Sequence, residues 1–244
     1  RGLGDVYKRQ DDSRSRWLPG LHFLELARSD AEQATQRPIH SLSNMVWSQP
    51  VQQLDQEQVL RTRLLSGDSG LMFQVLSGDD SSAAVHQFGQ LNLDPVADEQ
   101  TRLDLASIRG RLRSIAEADW PVSEASELES VHRRDDEILL QMKLPATRSV
   151  ASFDPQQMDA VWEIIRRLEH EHEPHAKPMF PYALKQAWFK EFEREECLLH
   201  IVRRNTGHQL SQYDVRFCDL EGNVFTALNE FSVLDLHGLM QIEL

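Results

Sequence analysis

The chain has 244 residues, 40% of them hydrophobic, with 39 Asp and Glu against 26 Lys and Arg and a formal net charge of −13. That length supports one large domain or two small ones, no apolar run approaches the roughly 18–20 residues of a membrane span, and the acidic balance argues against a nucleic-acid binder. The cysteines are Cys197 and Cys218 alone. This excludes a disulfide scaffold or a cysteine-built zinc site and suits a cytoplasmic protein.

Arg1–Gln10 (RGLGDVYKRQ) has no apolar stretch of the signal-peptide kind. It resembles the translated read-through of an adapter used to prepare DNA sequencing libraries, so residues 1–10 are expected to be foreign. The closing HGLMQIEL carries no terminus signal. The chain therefore reads as truncated at both ends.

Leu18-Pro19-Gly20 opens an amphipathic stretch in which Leu21, Phe23, Leu24, Leu26, Ala27, Ala31 and Ala34 are spaced for one helix face, and Pro38 ends it. Strand-like runs follow at Ile39–Val51, Val59–Leu65, Leu71–Leu76 and Ala83–Leu93, divided by turn-forming residues such as Ser66-Gly67-Asp68. After Asp94-Pro95 the sequence predicts a polar helix around Leu103–Ile115, a linker over Glu117–Ser126 and a strand at Ile138–Leu144.

A second helix begins at Pro155, with Met158, Val161, Trp162, Ile165 and Leu168 on one face. Strands recur at Tyr182–Phe189, Cys197–Val202, Tyr213–Cys218 and Val224–Ser232. A proline-initiated helix followed by four strands thus occurs twice, with Trp47 28 residues after Pro19 and Trp188 33 after Pro155. The class is α+β, and two unrelated domains would give a similar pattern.

Several segments carry a more specific signal. WLPGLHFLELA at Trp17–Ala27, NMVWSQPV at Asn44–Val51 and VHQFGQL at Val85–Leu91 resemble, in order, the helix opening and strands of the dehydratase domains of modular polyketide synthases. FDPQQMDAVWE at Phe153–Glu163 resembles the same family's F-H-P-x-x-x-D signature, and MFPYALKQAWF and YDVRFCDLEGNVFTALNEFSV resemble its later strands. The resemblance runs from about Trp17 to Leu236. It implies a double hot-dog fold, two tandem units each with a long helix wrapped by an antiparallel sheet. The expected boundaries are 11–95 for an incomplete first unit, 96–126 for a linker, 127–238 for the second unit and 239–244 for the start of a downstream linker.

The resemblance also implies an activity, elimination of water from a β-hydroxyacyl thioester to give an α,β-enoyl thioester. The substrate would ride on the phosphopantetheine arm of an acyl carrier protein, with no metal or soluble cofactor. Other synthase domains in cis and a second copy of the domain, as a homodimer, would be partners, and neither nucleic acid nor membrane. Such chemistry needs a base at the α-carbon and an acid at the departing hydroxyl, each contributing about 10²–10⁴-fold.

Asp159 matches the family's proton donor; the bland alternative is an ordinary first-turn acid favoured by the helix dipole. Flanked by Met158, Val161 and Trp162, it is expected to point into the apolar seam. The partner histidine is expected nine residues before Pro19, which is Gln10, and the motif glycine falls on Arg14. The catalytic base is therefore expected to be absent. Leu18, Pro19, Gly20, Trp162, Glu163 and Pro181 are the expected substrate-tunnel residues.

Other departures are Asp154, where the family has His, and Glu163, where it has Gln or His. The glycines of a tunnel-forming segment are also missing beside Asp119-Trp120-Pro121-Val122. His22, on the helix rather than the loop before it, reads as a core or rim histidine. His170, His172 and His175 follow a helix in a charged loop and lack metal-site support. No GxGxxG, GxxxxGK[ST] or GxSxG occurs. The departures keep two alternatives open: a non-catalytic dehydratase-like scaffold domain, and a free-standing hot-dog hydratase or thioesterase.

Overall fold

The computed structural model describes residues 20–51, 59–67, 70–79, 83–95, 101–116, 127–143, 153–172, 179–190, 196–205 and 210–235. The first unit runs α1 (His22–Thr35), β1 (Ser41–Trp47), β2 (Leu60–Gly67), β3 (Gly70–Ser77) and β4 (Ala84–Asn92). Next come α2 (Leu105–Arg111), β5 (Arg113–Ile115), β6 (Glu127–Arg134) and β7 (Glu137–Lys143). Last in chain order come α3 (Pro155–His172), β8 (Met179–Phe189), β9 (Glu196–Asn205), β10 (Leu210–Cys218) and β11 (Val224–Asp235).

The strands form one eleven-stranded sheet in the order β2-β3-β4-β1-β8-β11-β10-β9-β7-β6-β5. About the β1–β8 seam the order is symmetrical: each helix is followed by the seam strand, and β4-β3-β2 on one side answers β11-β10-β9 on the other. The seam is an antiparallel ladder from Ser41 opposite Trp188 to Val46 opposite Ala183. A helix followed by a wrapping antiparallel sheet, twice, is the double hot-dog arrangement.

The helices lie side by side against one face of the sheet because their apolar stripes are spaced for it. Phe23, Leu24, Ala27 and Ala31 of α1 are buried, as are Met158, Val161, Ile165 and Leu168 of α3, in the i, i+3, i+4, i+7 pattern of one helix face. Both stripes belong to a single apolar cluster that also takes Leu42, Phe73, Leu91, Leu184, Val215 and Leu228 from the strands.

Two expectations are corrected. The helix predicted over Leu103–Ile115 stops at Arg111, because Leu112 turns extended at φ −95 and ψ 157 and Arg113–Ile115 pairs with β6. Strand β6 itself, with the sequence ELESVHRR, carried no apolar run to announce it; it is held by its ladder with β7. The predicted linker at 117–126 and the segment beside Trp120 lie outside the described residues.

Candidate active site

The two halves meet chemically where the helices touch. His22 opens α1 and Asp159 sits in the second turn of α3, and His22 Nε2 lies 2.7 Å from Asp159 Oδ1 across 137 residues of sequence. Their side chains are 11% and 38% exposed respectively. The histidine is therefore the more buried partner, and the carboxylate is partly exposed.

Asp159 thus does not sink into the apolar seam as expected. Met158 and Val161 take the buried stripe of α3, and at 100° per residue Asp159 is turned off that stripe towards α1. The reading of His22 as a core or rim histidine is also sharpened, since its ring nitrogen is committed to the opposite helix.

A second polar tie lies one turn along α1, where Phe153 N donates to Glu25 Oε2 at 3.0 Å. Glu25 is itself held by Arg28, whose Nε donates to Oε2 at 2.9 Å. The Arg28 guanidinium lies 5.5 Å from the Phe189 ring centroid. The entry to α3 is fixed by Asp154, whose Oδ1 accepts from Gln157 N at 3.2 Å. The residue that departs from the family motif is thus a side-chain cap.

An aromatic chain runs beneath the pair. Trp47 Nε1 donates to Gly20 O at 2.9 Å. Trp47 packs edge-on against Phe231 with centroids 5.8 Å apart, and Phe231 packs edge-on against Trp162 at 6.4 Å. Of the expected tunnel residues, Gly20 and Trp162 are therefore joined through Trp47 and Phe231, and Glu163 stands one turn beyond Asp159. Pro181 is buried farther along the seam, opposite Val233. Leu18, Pro19 and the positions of Gln10 and Arg14 lie outside the described residues. Sequence reasoning missed Trp47 and Phe231 as parts of this wall, although each sits in a strand it had placed.

No group of three or more potential metal ligands occurs among the described residues; His175 and the side chains of His170 and His172 are outside them. A depression of about 550 Å³ lined by Ser41, Ser43, Asn92 and Gln186 involves neither His22 nor Asp159.

No family model matches the chain. Over 102 residues it is 35% identical to polyketide synthase PksN of Bacillus subtilis, covering 38% of this chain and 2% of that protein's length. Among solved structures, a trans-AT polyketide synthase dehydratase domain from Brevibacillus brevis superposes with a TM-score of 0.73 at 21% identity, covering 91% of this chain and 86% of that one. The pyran synthase domain from module nine of the sorangicin pathway gives 0.72 at 22% identity, covering 90% and 86%. A trans-acyltransferase polyketide synthase enoyl-isomerase gives 0.72 at 15% identity, covering 91% of each chain.

Proposed function

We propose that the chain, which has the fold of polyketide synthase dehydratase domains, is the body of such a domain, a hydro-lyase acting on a β-hydroxyacyl thioester held by an acyl carrier protein. Because that fold also carries a pyran synthase and an enoyl-isomerase, the site has to supply the assignment. The observation that supports it is Asp159, held by His22 where the two helices meet and with its carboxylate partly exposed.

In this reading the substrate approaches the exposed side of Asp159, where α1 and α3 meet, with its β-hydroxyl at that carboxylate. Asp159 protonates or hydrogen-bonds the departing hydroxyl while a base removes the α-proton, leaving the α,β-double bond. The base belongs at the position of Gln10. No metal or soluble cofactor enters. Other synthase domains in cis and a second copy of the domain are its proposed neighbours, in the cytoplasm; no helix among the described residues is long and apolar enough to cross a membrane.

The test is formation of an enoyl thioester from a β-hydroxyacyl carrier protein. The chain as it stands should form none. Gln10→His with Arg14→Gly should install turnover, and adding Asp159→Asn should then remove it by about 10²–10⁴-fold without loss of fold. Equal rates with and without Asp159 would reduce that residue to a helix-start acid. The departures at Arg14, Asp154 and Glu163 favour one second reading, a non-catalytic dehydratase-like scaffold domain, which predicts no turnover even after the double replacement.

A further inference from the structure

We propose that His22 is the positioning residue of Asp159, holding one carboxylate oxygen so that the other is presented to the cleft. The inference deepens the dehydratase reading, but the pairing is testable without it.

Three observations converge. First, the contact is 2.7 Å and joins the opening of α1 to the second turn of α3, so it ties the two helices together directly. Second, the exposure is unequal, 11% for His22 against 38% for Asp159. The histidine is the more buried of the two, an arrangement that suits an orienting residue better than one reacting with substrate. Third, the neighbour one turn along α3 from Asp159 is Glu163, a carboxylate that as an anion has no hydrogen to donate. A donor to Asp159 must come from elsewhere, and α1 brings one.

Chemistry fixes the division of labour. With Nε2–H donated to Oδ1, Oδ2 is left for a substrate hydroxyl. While it donates to Oδ1, Nε2 offers no lone pair to the α-carbon. Within one turn of the pair the other charged groups on the two helices are Glu25 on α1 and Glu163 on α3. Glu25 is already engaged by Arg28 and by Phe153 N.

The decisive experiment reads the geometry of Asp159 directly. Three-bond couplings in the labelled 244-residue chain report its χ1 angle. A single staggered rotamer is expected in the unaltered chain and in His22→Gln, which keeps a donor; rotamer averaging is expected in His22→Leu. In the same samples the His22 Nε2–H signal should exchange at least about tenfold faster once Asp159→Ala removes the acceptor. An Asp159 rotamer indifferent to His22→Leu, or a His22 ring signal indifferent to Asp159→Ala, overturns the proposal.

A kinetic arm separates this inference from the function it serves. In the Gln10→His, Arg14→Gly background, His22→Leu should lower kcat about tenfold with KM little changed, and His22→Gln should restore it. Failure of every such variant to turn over, with the couplings as expected, rejects the dehydratase reading and leaves the pairing supported. Enoyl product from the unaltered chain that disappears in His22→Gln would make His22 the base and overturn its positioning role.

Discussion

Gly20 is pressed against Trp47 so closely that a Cβ there would collide with the indole nitrogen and lie 2.5 Å from its Cδ1. The same indole donates to the Gly20 carbonyl. One bond and one absent side chain thus set how α1 begins, and with it where His22 stands. Gly20→Ala should cost about 1–3 kcal/mol by overpacking. Trp47→Phe should cost a similar amount, about 1–3 kcal/mol, by leaving a buried carbonyl without its donor. Urea unfolding measures both, and a Gly20→Ala chain as stable as the original would show that the indole has room to yield. The residue scale also shows what sequence could and could not reveal. Asp159 was legible because a motif surrounds it. His22 was not, because its partner is 137 residues away and nothing local to LPGLHF distinguishes a histidine that faces another helix from one that faces solvent. The available signal was weak: His22 and Glu25 are three apart on one flank of the apolar stripe, and they reach α3 and the residues just before it.

At the scale of elements, α2 shows how a polar segment becomes part of the fold. With the residues flanking it, it packs Leu103, Ile108 and Leu112 together with Leu139, Trp188, Leu198, Cys218 and Ala227, forming a second apolar cluster apart from the main core. The segment is pinned to the β10–β11 hairpin by two backbone bonds, Leu103 N to Gly222 O and Val224 N to Thr101 O, each 2.8 Å. The hairpin is in turn ordered by Asp219, whose Oδ1 accepts from Asn223 N at 2.8 Å and Glu221 N at 3.0 Å. Gly222 was readable as a turn glycine, and it has φ +90. What sequence did not show is that a Cβ there would lie 2.5 Å from Leu103 O. Gly222→Ala therefore meets both a disfavoured backbone and a clash, and should destabilise by about 1–3 kcal/mol. The loss should appear first as faster amide exchange at Leu103 and Val224. Unchanged exchange there would mean that α2 is held by its apolar contacts alone. Strand β6 stayed illegible for a related reason: it lies next to the edge strand β5 and needs few apolar residues.

The whole molecule is stapled by ionisable groups at two places, and these set how its stability responds to pH. In the first, Glu169 of α3 accepts from Arg203 Nε at 2.8 Å and from the Tyr213 hydroxyl. Burial pushes Glu169 up, but the bonds from Ser211, Tyr213 and Arg203 outweigh it and hold the carboxyl below its ordinary value. In the second, Glu137 accepts from Arg111 Nε at 2.8 Å and lies 2.7 Å from His200 Nε2. Burial is again opposed and outweighed there, and Glu137 is also held low. His200, read from sequence as structural, is lowered chiefly by its own burial, against the pull of Glu137. It is therefore neutral at pH 7 and donates to Glu137 as a hydrogen bond rather than an ion pair. The double hot-dog repeat was visible in the sequence, but these staples were not, since each joins residues of different elements far apart in the sequence.

The sign of the pH effect follows from those directions. A group whose folded pKa is depressed leaves the unfolded chain binding more protons, so stability is fully present above the unfolded value and falls as pH drops below it. For His200 that loss begins below its ordinary 6.5, and for Glu137 and Glu169 it adds below 4.5. On the alkaline side, burial raises Cys197 and Tyr213, and it pushes Cys218 up to about 12 with help from the charge of Asp219. These acids are therefore stabilising below their ordinary values of 9.0 and 10.0, and that contribution is lost as pH rises above them. Stability should form a plateau between roughly pH 6.5 and 9, with an acid limb that opens on a histidine rather than on carboxylates. One proton corresponds to a slope of about 1.4 kcal/mol per pH unit. His200→Gln keeps a donor for Glu137 and removes the titration. In urea unfolding repeated from pH 7 to 5 it should flatten the first limb by up to one proton, while the loss below 4.5 stays in place. An acid limb of unchanged slope would assign the first loss to other groups and leave His200 with a packing role alone.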